Sequence, residues 1–153
     1  MALNLFNYSD PLAEVVGAED RIFASLTDEE WSEFLGAMER RLFPLGAEIL
    51  KAGERDRTLY LIASGEVEVV IDTAAGRRRL ATVGAGSVVG EMAFFDGAPR
   101  SATVVALAQV EVLALRQDRF EQLAAWRPRI AIKLLTDIGR VLSQRLRKLN
   151  QTV

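Results

Sequence analysis

The stretch Gly90-Glu91-Met92-Ala93-Phe94-Phe95-Asp96-Gly97-Ala98-Pro99-Arg100-Ser101-Ala102-Thr103 lies between two runs with the texture of β-strands. A barrel would normally turn there in a few residues. Met92 to Phe95 instead suit a single helical turn. The amides that open it, near Gly90 and Glu91, lack partners within the turn and carry the positive end of its dipole, which favours an anion. Gly90 has no Cβ to keep a ligand off the backbone. Pro99 stiffens the approach to Arg100, whose planar guanidinium matches a phosphate. Glu91 would repel a bare phosphate, but a carboxylate accepts the hydrogen bonds that a sugar hydroxyl donates. One acid and one arginine together point to a ligand with both a ribose and a phosphate.

Outward from this stretch the strand texture continues. Eight of the eleven glycines fall between Leu42 and Leu115, at 46, 53, 65, 76, 84, 86, 90 and 97. Leu59-Tyr60-Leu61-Ile62 precedes the turn Ala63-Ser64-Gly65, and Glu66-Val67-Glu68-Val69 then alternates polar and apolar with period two. Leu80 to Val83, Ala102 to Val105 and Val110 to Leu115 repeat the pattern. Short strands between glycine turns predict a sandwich or barrel, with no room for βαβ units. Gly84-Ala85-Gly86-Ser87-Val88-Val89-Gly90 falls short of a dinucleotide fingerprint, because its last glycine comes one residue late. Nor is it a nucleophile elbow: Ser87 is misplaced and the chain has no histidine to serve it. Arg77-Arg78-Arg79 after Gly76 reads as a solvated hairpin turn.

Helical patterns flank the barrel. Asp10-Pro11 suits a helix start, and Thr27-Asp28-Glu29-Glu30 a capping box. Trp31, Phe34, Leu35 and Met38 then recur at helical spacing as core residues, and Phe94 and Phe95 are expected to be core or barrel plug. After Leu115, Asp118 is placed to cap a helix with Glu121 at N3, Trp126 to pack at a hinge, and Pro128 to begin a longer helix. In that helix Leu135, Ile138, Leu142, Leu146, Leu149 and Val153 are spaced 3, 4, 4, 3 and 4. Such a stripe predicts a homodimer seam rather than a helix laid on the barrel. The expected organisation is one domain over 1–153, mainly β with flanking helices: helical over 1–41, barrel over 42–117, a helical pair over 118–153.

Composition closes off several function classes. The 153 residues include no cysteine and no histidine. Disulfides, the usual zinc and iron centres, and a histidine-served nucleophile are thereby excluded. An enzyme, such as a jelly-roll isomerase or oxygenase, is not expected. The net charge of −2 argues against general affinity for nucleic acid or anionic membrane. Residues 1–40 carry nine acids and two bases, and residues 126–153 seven bases and one acid; the simplest reading is solvated helix faces. No targeting segment or long apolar run is visible, so a cytoplasmic protein is expected.

The segment Gly90-Glu91-Met92-Ala93 with Pro99-Arg100-Ser101-Ala102 resembles the phosphate-binding cassette (90–103) of cyclic nucleotide-binding domains. Phe43-Pro44-Leu45-Gly46-Ala47-Glu48 and Ala52-Gly53-Glu54 are similar to the opening of that family's barrel. Leu59 to Val67 is similar to its central hairpin, and Gly84 to Gly90 to the run into the cassette. The similarity extends over roughly 20–150.

This resemblance implies a β jelly-roll barrel between N-terminal helices and a C-terminal helical pair. It implies that Arg100 binds the exocyclic phosphate oxygens and Glu91 the ribose 2′-hydroxyl. Backbone amides around Gly90, Met92, Ala93 and Ser101, with the Ser101 hydroxyl, would complete the cradle. Asn150 would fall near the base. The singly charged phosphodiester needs no metal or other cofactor. The implied function is a regulatory sensor of a 3′,5′-cyclic nucleotide, with cyclic AMP slightly favoured over cyclic GMP. It would signal through its C-terminal helices to a homodimer or an effector protein, without binding DNA or membrane directly. The rival is a jelly-roll interaction or scaffold module that binds no nucleotide.

Overall fold

A computed structural model of the chain describes residues 26–151. The expected helix start at Asp10-Pro11 lies outside the described residues. Thr27 closes the expected capping box with Glu30 at the head of helix α1 (Asp28–Gly36). The Thr27 hydroxyl accepts from the Glu30 amide at 3.2 Å, and Glu30 Oε1 accepts from the Thr27 amide at 3.0 Å. Phe34 is fully buried, and Trp31, Leu35 and Met38 pack partly buried around it.

The barrel begins three residues before the expected boundary of Leu42, with β1 (Glu39–Phe43), followed by β2 (Glu48–Leu50), β3 (Leu59–Ser64), β4 (Glu66–Thr73), β5 (Gly76–Gly84) and β6 (Val88–Val89). The short helix α2 (Glu91–Asp96) interrupts before β7 (Thr103–Ala106) and β8 (Val110–Leu115). The eight strands form two four-stranded antiparallel sheets, ordered β1-β8-β3-β6 and β2-β7-β4-β5. This is the jelly-roll arrangement. Arg77, Arg78 and Arg79 lie in strand β5 rather than in the turn, Arg77 against Asp72 and Arg79 against Glu68.

Two apolar clusters explain why some strands alternate and others do not. Tyr60 and Ile62 of β3, with Val110, Val112 and Ala114 of β8, fill the space between the sheets. Leu59, Leu61, Ala63, Leu113 and Leu115 point the other way, under the helices. These two strands are therefore apolar on both faces, whereas β4 alternates only at its start, a bulge between Val69 and Val70 breaking the period so that Val67 and Val70 are its buried residues.

Helices α3 (Gln117–Trp126) and α4 (Pro128–Gln151) close the second cluster. Arg116, not Asp118, is the N-cap of α3; Asp118 lies inside its first turn, paired with Arg116. Trp126 is 81% exposed and so does not pack at the hinge. Helix α4 starts at Pro128 as expected and lays Ile130, Ala131, Leu134, Ile138 and Val141 on the barrel. Ile138 is thus a core residue and leaves the predicted seam. Leu135, Leu142, Leu146 and Leu149 remain exposed or partly exposed, and Gly139 takes Ile138's place on that face. Val153 lies outside the described residues.

The charges of the two termini are not all solvated faces. Glu30, 4% exposed, receives Lys133 Nζ at 3.1 Å and Arg129 Nε at 3.3 Å, and Glu33 pairs with Arg127. These pairs tie α1 to the start of α4.

Candidate functional site

The 90–103 segment folds as a short helix and a return loop, and one buried arginine joins its two ends. Helix α2 begins at Glu91, after Gly90 in the left-handed conformation at φ +81°. A Cβ on Gly90 would sit 2.6 Å from Arg100 Nη1 and 3.1 Å from the Thr58 carbonyl oxygen, so no other residue fits there without displacement. At the far end Gly97, also left-handed, closes the helix by donating to the Ala93 carbonyl at 2.8 Å. Arg57 Nη2 donates to the Phe94 and Phe95 carbonyls at 2.9 and 3.1 Å, bracing that end.

Arg100 is 5% exposed. Its backbone is pinned first: its amide donates to the Glu54 carbonyl, and its carbonyl accepts from the Gly53 amide, both at 2.8 Å. Nη1 then donates to the Gly90 carbonyl at 2.8 Å and Nη2 to the Thr58 carbonyl at 2.7 Å. Nη2 also lies 3.2 Å from Asp56 Oδ2. Nε is buried with no acceptor. Buried N–H groups are nearly always partnered, so this lone one on a guanidinium beside a glycine is a donor available to an anion.

Behind Arg100 runs a polar chain. Asp56 Oδ1 accepts from the Thr58 amide at 3.0 Å, Oδ2 lies 3.5 Å from the Tyr60 hydroxyl, and Arg41 Nη1 donates to that hydroxyl at 3.2 Å. Burial pushes the Asp56 carboxyl up, but bonds from Thr58 and the charge of Arg100 outweigh it and hold the group below its ordinary range. Burial, with Asp56 nearby, pushes the Tyr60 hydroxyl up.

Glu91 is 9% exposed. Arg145 Nη1, from α4, donates to its Oε1 at 2.8 Å. Arg145 Nη2 donates to Ser87 Oγ at 3.1 Å and to the Val88 carbonyl at 3.0 Å. One arginine thus ties the last helix to the strand leading into the segment and to its first helical residue. Nothing in the sequence marks Arg145 beyond its place among the bases of 126–153. Ser87 is fully buried in this contact.

The structure therefore brings Gly90, Glu91, Met92, Ala93, Arg100 and Ser101 together in one loop, with Ser101 Oγ 3.9 Å from Met92 Sδ. Ala93 and Phe94 are buried, whereas Met92 and Phe95 are exposed, so only one of the two phenylalanines is core. Asn150 is exposed near the end of α4. Among the described residues there is no cluster of metal-ligating side chains and no helix long and apolar enough to cross a membrane.

Comparison with known proteins agrees with this geometry. The family model described as "Cyclic nucleotide-binding domain" matches residues 40–125, more than half of the chain. The "Cyclic AMP receptor protein" of Thermus thermophilus is 36% identical over 128 residues, covering 83% of this chain and 57% of that protein. A "cAMP-dependent protein kinase regulatory subunit" of Colletotrichum orbiculare is 32% identical, covering 76% of this chain and 28% of its own length. The chain thus spans about half or less of these relatives. A crystal structure of a cyclic nucleotide-binding domain from Methylobacillus flagellatus superposes with a TM-score of 0.80 at 32% identity, covering 88% of this chain and 76% of that one. With the jelly roll, the cassette-like loop and the family match in agreement, the chain belongs to the cyclic nucleotide-binding domain family.

Proposed function

We propose that the chain is a regulatory module that binds a 3′,5′-cyclic nucleotide in the loop formed by Gly90, Glu91, Met92, Ala93, Arg100 and Ser101. The observation that carries this reading is the buried Arg100, held beneath Gly90 with its Nε–H unmet. A single guanidinium balances the single charge of a cyclic phosphodiester. Glu91, next to Gly90, offers a carboxylate to a ribose hydroxyl. Cyclic AMP is favoured slightly over cyclic GMP, and catalysis is no part of the role.

Transmission follows from Arg145. A ligand that engages Glu91 changes the group that anchors α4, so its binding biases the helix position by its differential affinity for the two arrangements. The outward face of α4, with exposed Leu135 and Leu146 and the partly buried Leu142 between them, supports a homodimer as the output surface, with an effector protein as the other candidate partner. The test is calorimetric titration of nucleotide-stripped protein with cyclic AMP and then cyclic GMP. Binding at micromolar or tighter, about −8 kcal/mol, is expected. No heat and no competition with either nucleotide would overturn the reading in favour of a scaffold module.

A further inference from the structure

We propose that Asp56 is a built-in counterion that a ligand phosphate must displace from Arg100, so that it tunes affinity downwards. This rests on the cyclic nucleotide reading of the loop. A guanidinium has five N–H donors, and an anion grips it best through two parallel ones. The unmet donor is Nε–H, and the N–H beside it belongs to Nη2. Nη2 is already committed twice, to the Thr58 carbonyl at 2.7 Å and to Asp56 Oδ2 at 3.2 Å. An anion that takes Nε–H and Nη2–H together must remove one of these acceptors.

The two acceptors differ in freedom. The Thr58 carbonyl is backbone at the threshold of β3, in a buried residue, and cannot leave without unpicking the strand. The Asp56 side chain is 38% exposed, and its other oxygen is held separately by the Thr58 amide. It can release Oδ2 to water while keeping Oδ1 in place. The arrangement has two consequences. Without a ligand, Asp56 partly neutralises a buried cation that would otherwise face only carbonyl dipoles. With a ligand, carboxylate and phosphate are like charges competing for one nitrogen.

The experiment compares wild-type protein with Asp56→Asn and Asp56→Ala by calorimetric titration with cyclic AMP and cyclic GMP, with thermal melts as the check on folding. Asparagine keeps the oxygen that accepts from Thr58 and removes the charge. Alanine removes both. The expected result is tighter binding in Asp56→Asn by about three- to tenfold, the scale of one partly exposed ion pair with its like-charge repulsion. Alanine should tighten binding too, although its melting temperature falls. A residue that merely caps the strand would lower the melting temperature and leave affinity unchanged. Unchanged or weaker binding in both folded variants, with wild-type binding intact, overturns the counterion role and leaves the nucleotide reading standing. Absence of binding in all three proteins overturns both.

Discussion

Arg145 and Glu91 meet at 2.8 Å although 54 residues separate them, and the contact joins the C-terminal half of α4 to the first residue of α2. The same guanidinium holds Ser87 Oγ and the Val88 carbonyl, so the start of β6 is fastened at the same point. The first half of α4 is packed by Ile130, Leu134, Ile138 and Val141. Beyond Val141 its apolar residues are exposed or, at Leu142, only partly buried, and Arg145 ties this part of the helix to the barrel. Replacing Arg145 by glutamine should therefore loosen residues 142–151 while leaving 128–141 in place. The loss of a mostly buried charged pair should cost about 2–3 kcal/mol. Hydrogen exchange read by segment checks it: protection should fall across 142–151 and hold across 128–141. Unchanged protection in the last ten residues would mean that Arg145 does not hold the helix.

Gly90→Ala tests the packing beneath the loop. The new methyl needs φ near +81° and space occupied by Arg100 Nη1 at 2.6 Å. Strain of about 1–3 kcal/mol is expected from the backbone alone. The arginine must also shift, and with it the Nε–H proposed to meet the phosphate. Nucleotide affinity should fall at least tenfold while the protein still melts cooperatively. An alanine variant with wild-type affinity would show that Arg100 does not depend on this close approach.

How much of this could be read from the residues depends on the range of the interaction. The capping box at Thr27, the helix start at Pro128 and the glycine-punctuated strands are local, and local chemistry specifies them. Gly90, Glu91 and Arg100 are legible because a glycine, an acid and an arginine in one short loop carry their chemistry with them. Arg145, Asp56 and Ser87 are not, because each acquires its role only when elements far apart in sequence are brought together. The same is true of Ile138: one apolar stripe on a helix cannot say which residues face the barrel and which face away. Asp118 gave way to Arg116 as N-cap because the helix starts two residues earlier than an aspartate cap would require.

The exposed stripe of α4 gives a prediction about assembly. Leu135 is 38% exposed and Leu146 60%, with Leu142 partly buried between them and Gly139 on the same face. Leu146→Glu should leave the monomer fold intact, because Leu146 lies outside both buried clusters, and should abolish the proposed dimer by placing like charges across the seam. Gly139→Ala separates two readings of that face. Its Cβ would meet nothing within 4 Å in the monomer, so a solvated helix should gain about 1 kcal/mol. A helix crossing at Gly139 should instead lose dimer affinity. Sedimentation equilibrium of the three proteins decides it: a wild type that stays monomeric at high concentration refutes the seam.

Glu30 links the clasp between α1 and α4 to pH. The bond from the Thr27 amide, then Lys133, outweigh burial and hold its carboxyl down from 4.5 to about 2. A depressed folded-state value means that the unfolded chain binds the proton more readily. The stabilisation from this group is therefore complete above about 4.5 and drains away as the pH falls towards 2. Glu30→Gln isolates this effect, because glutamine can still accept from the Thr27 amide within the capping box while losing the charge that Lys133 and Arg129 meet. The variant should be less stable than wild type at neutral pH. The difference should shrink steadily below pH 4.5 as protonation of Glu30 removes the same charge from the wild type. Urea unfolding of both proteins from pH 7 down to pH 2.5 measures that difference. A gap that stays constant across the range would place the cost of the substitution in packing, and the ionic clasp would carry none of the link between α1 and α4.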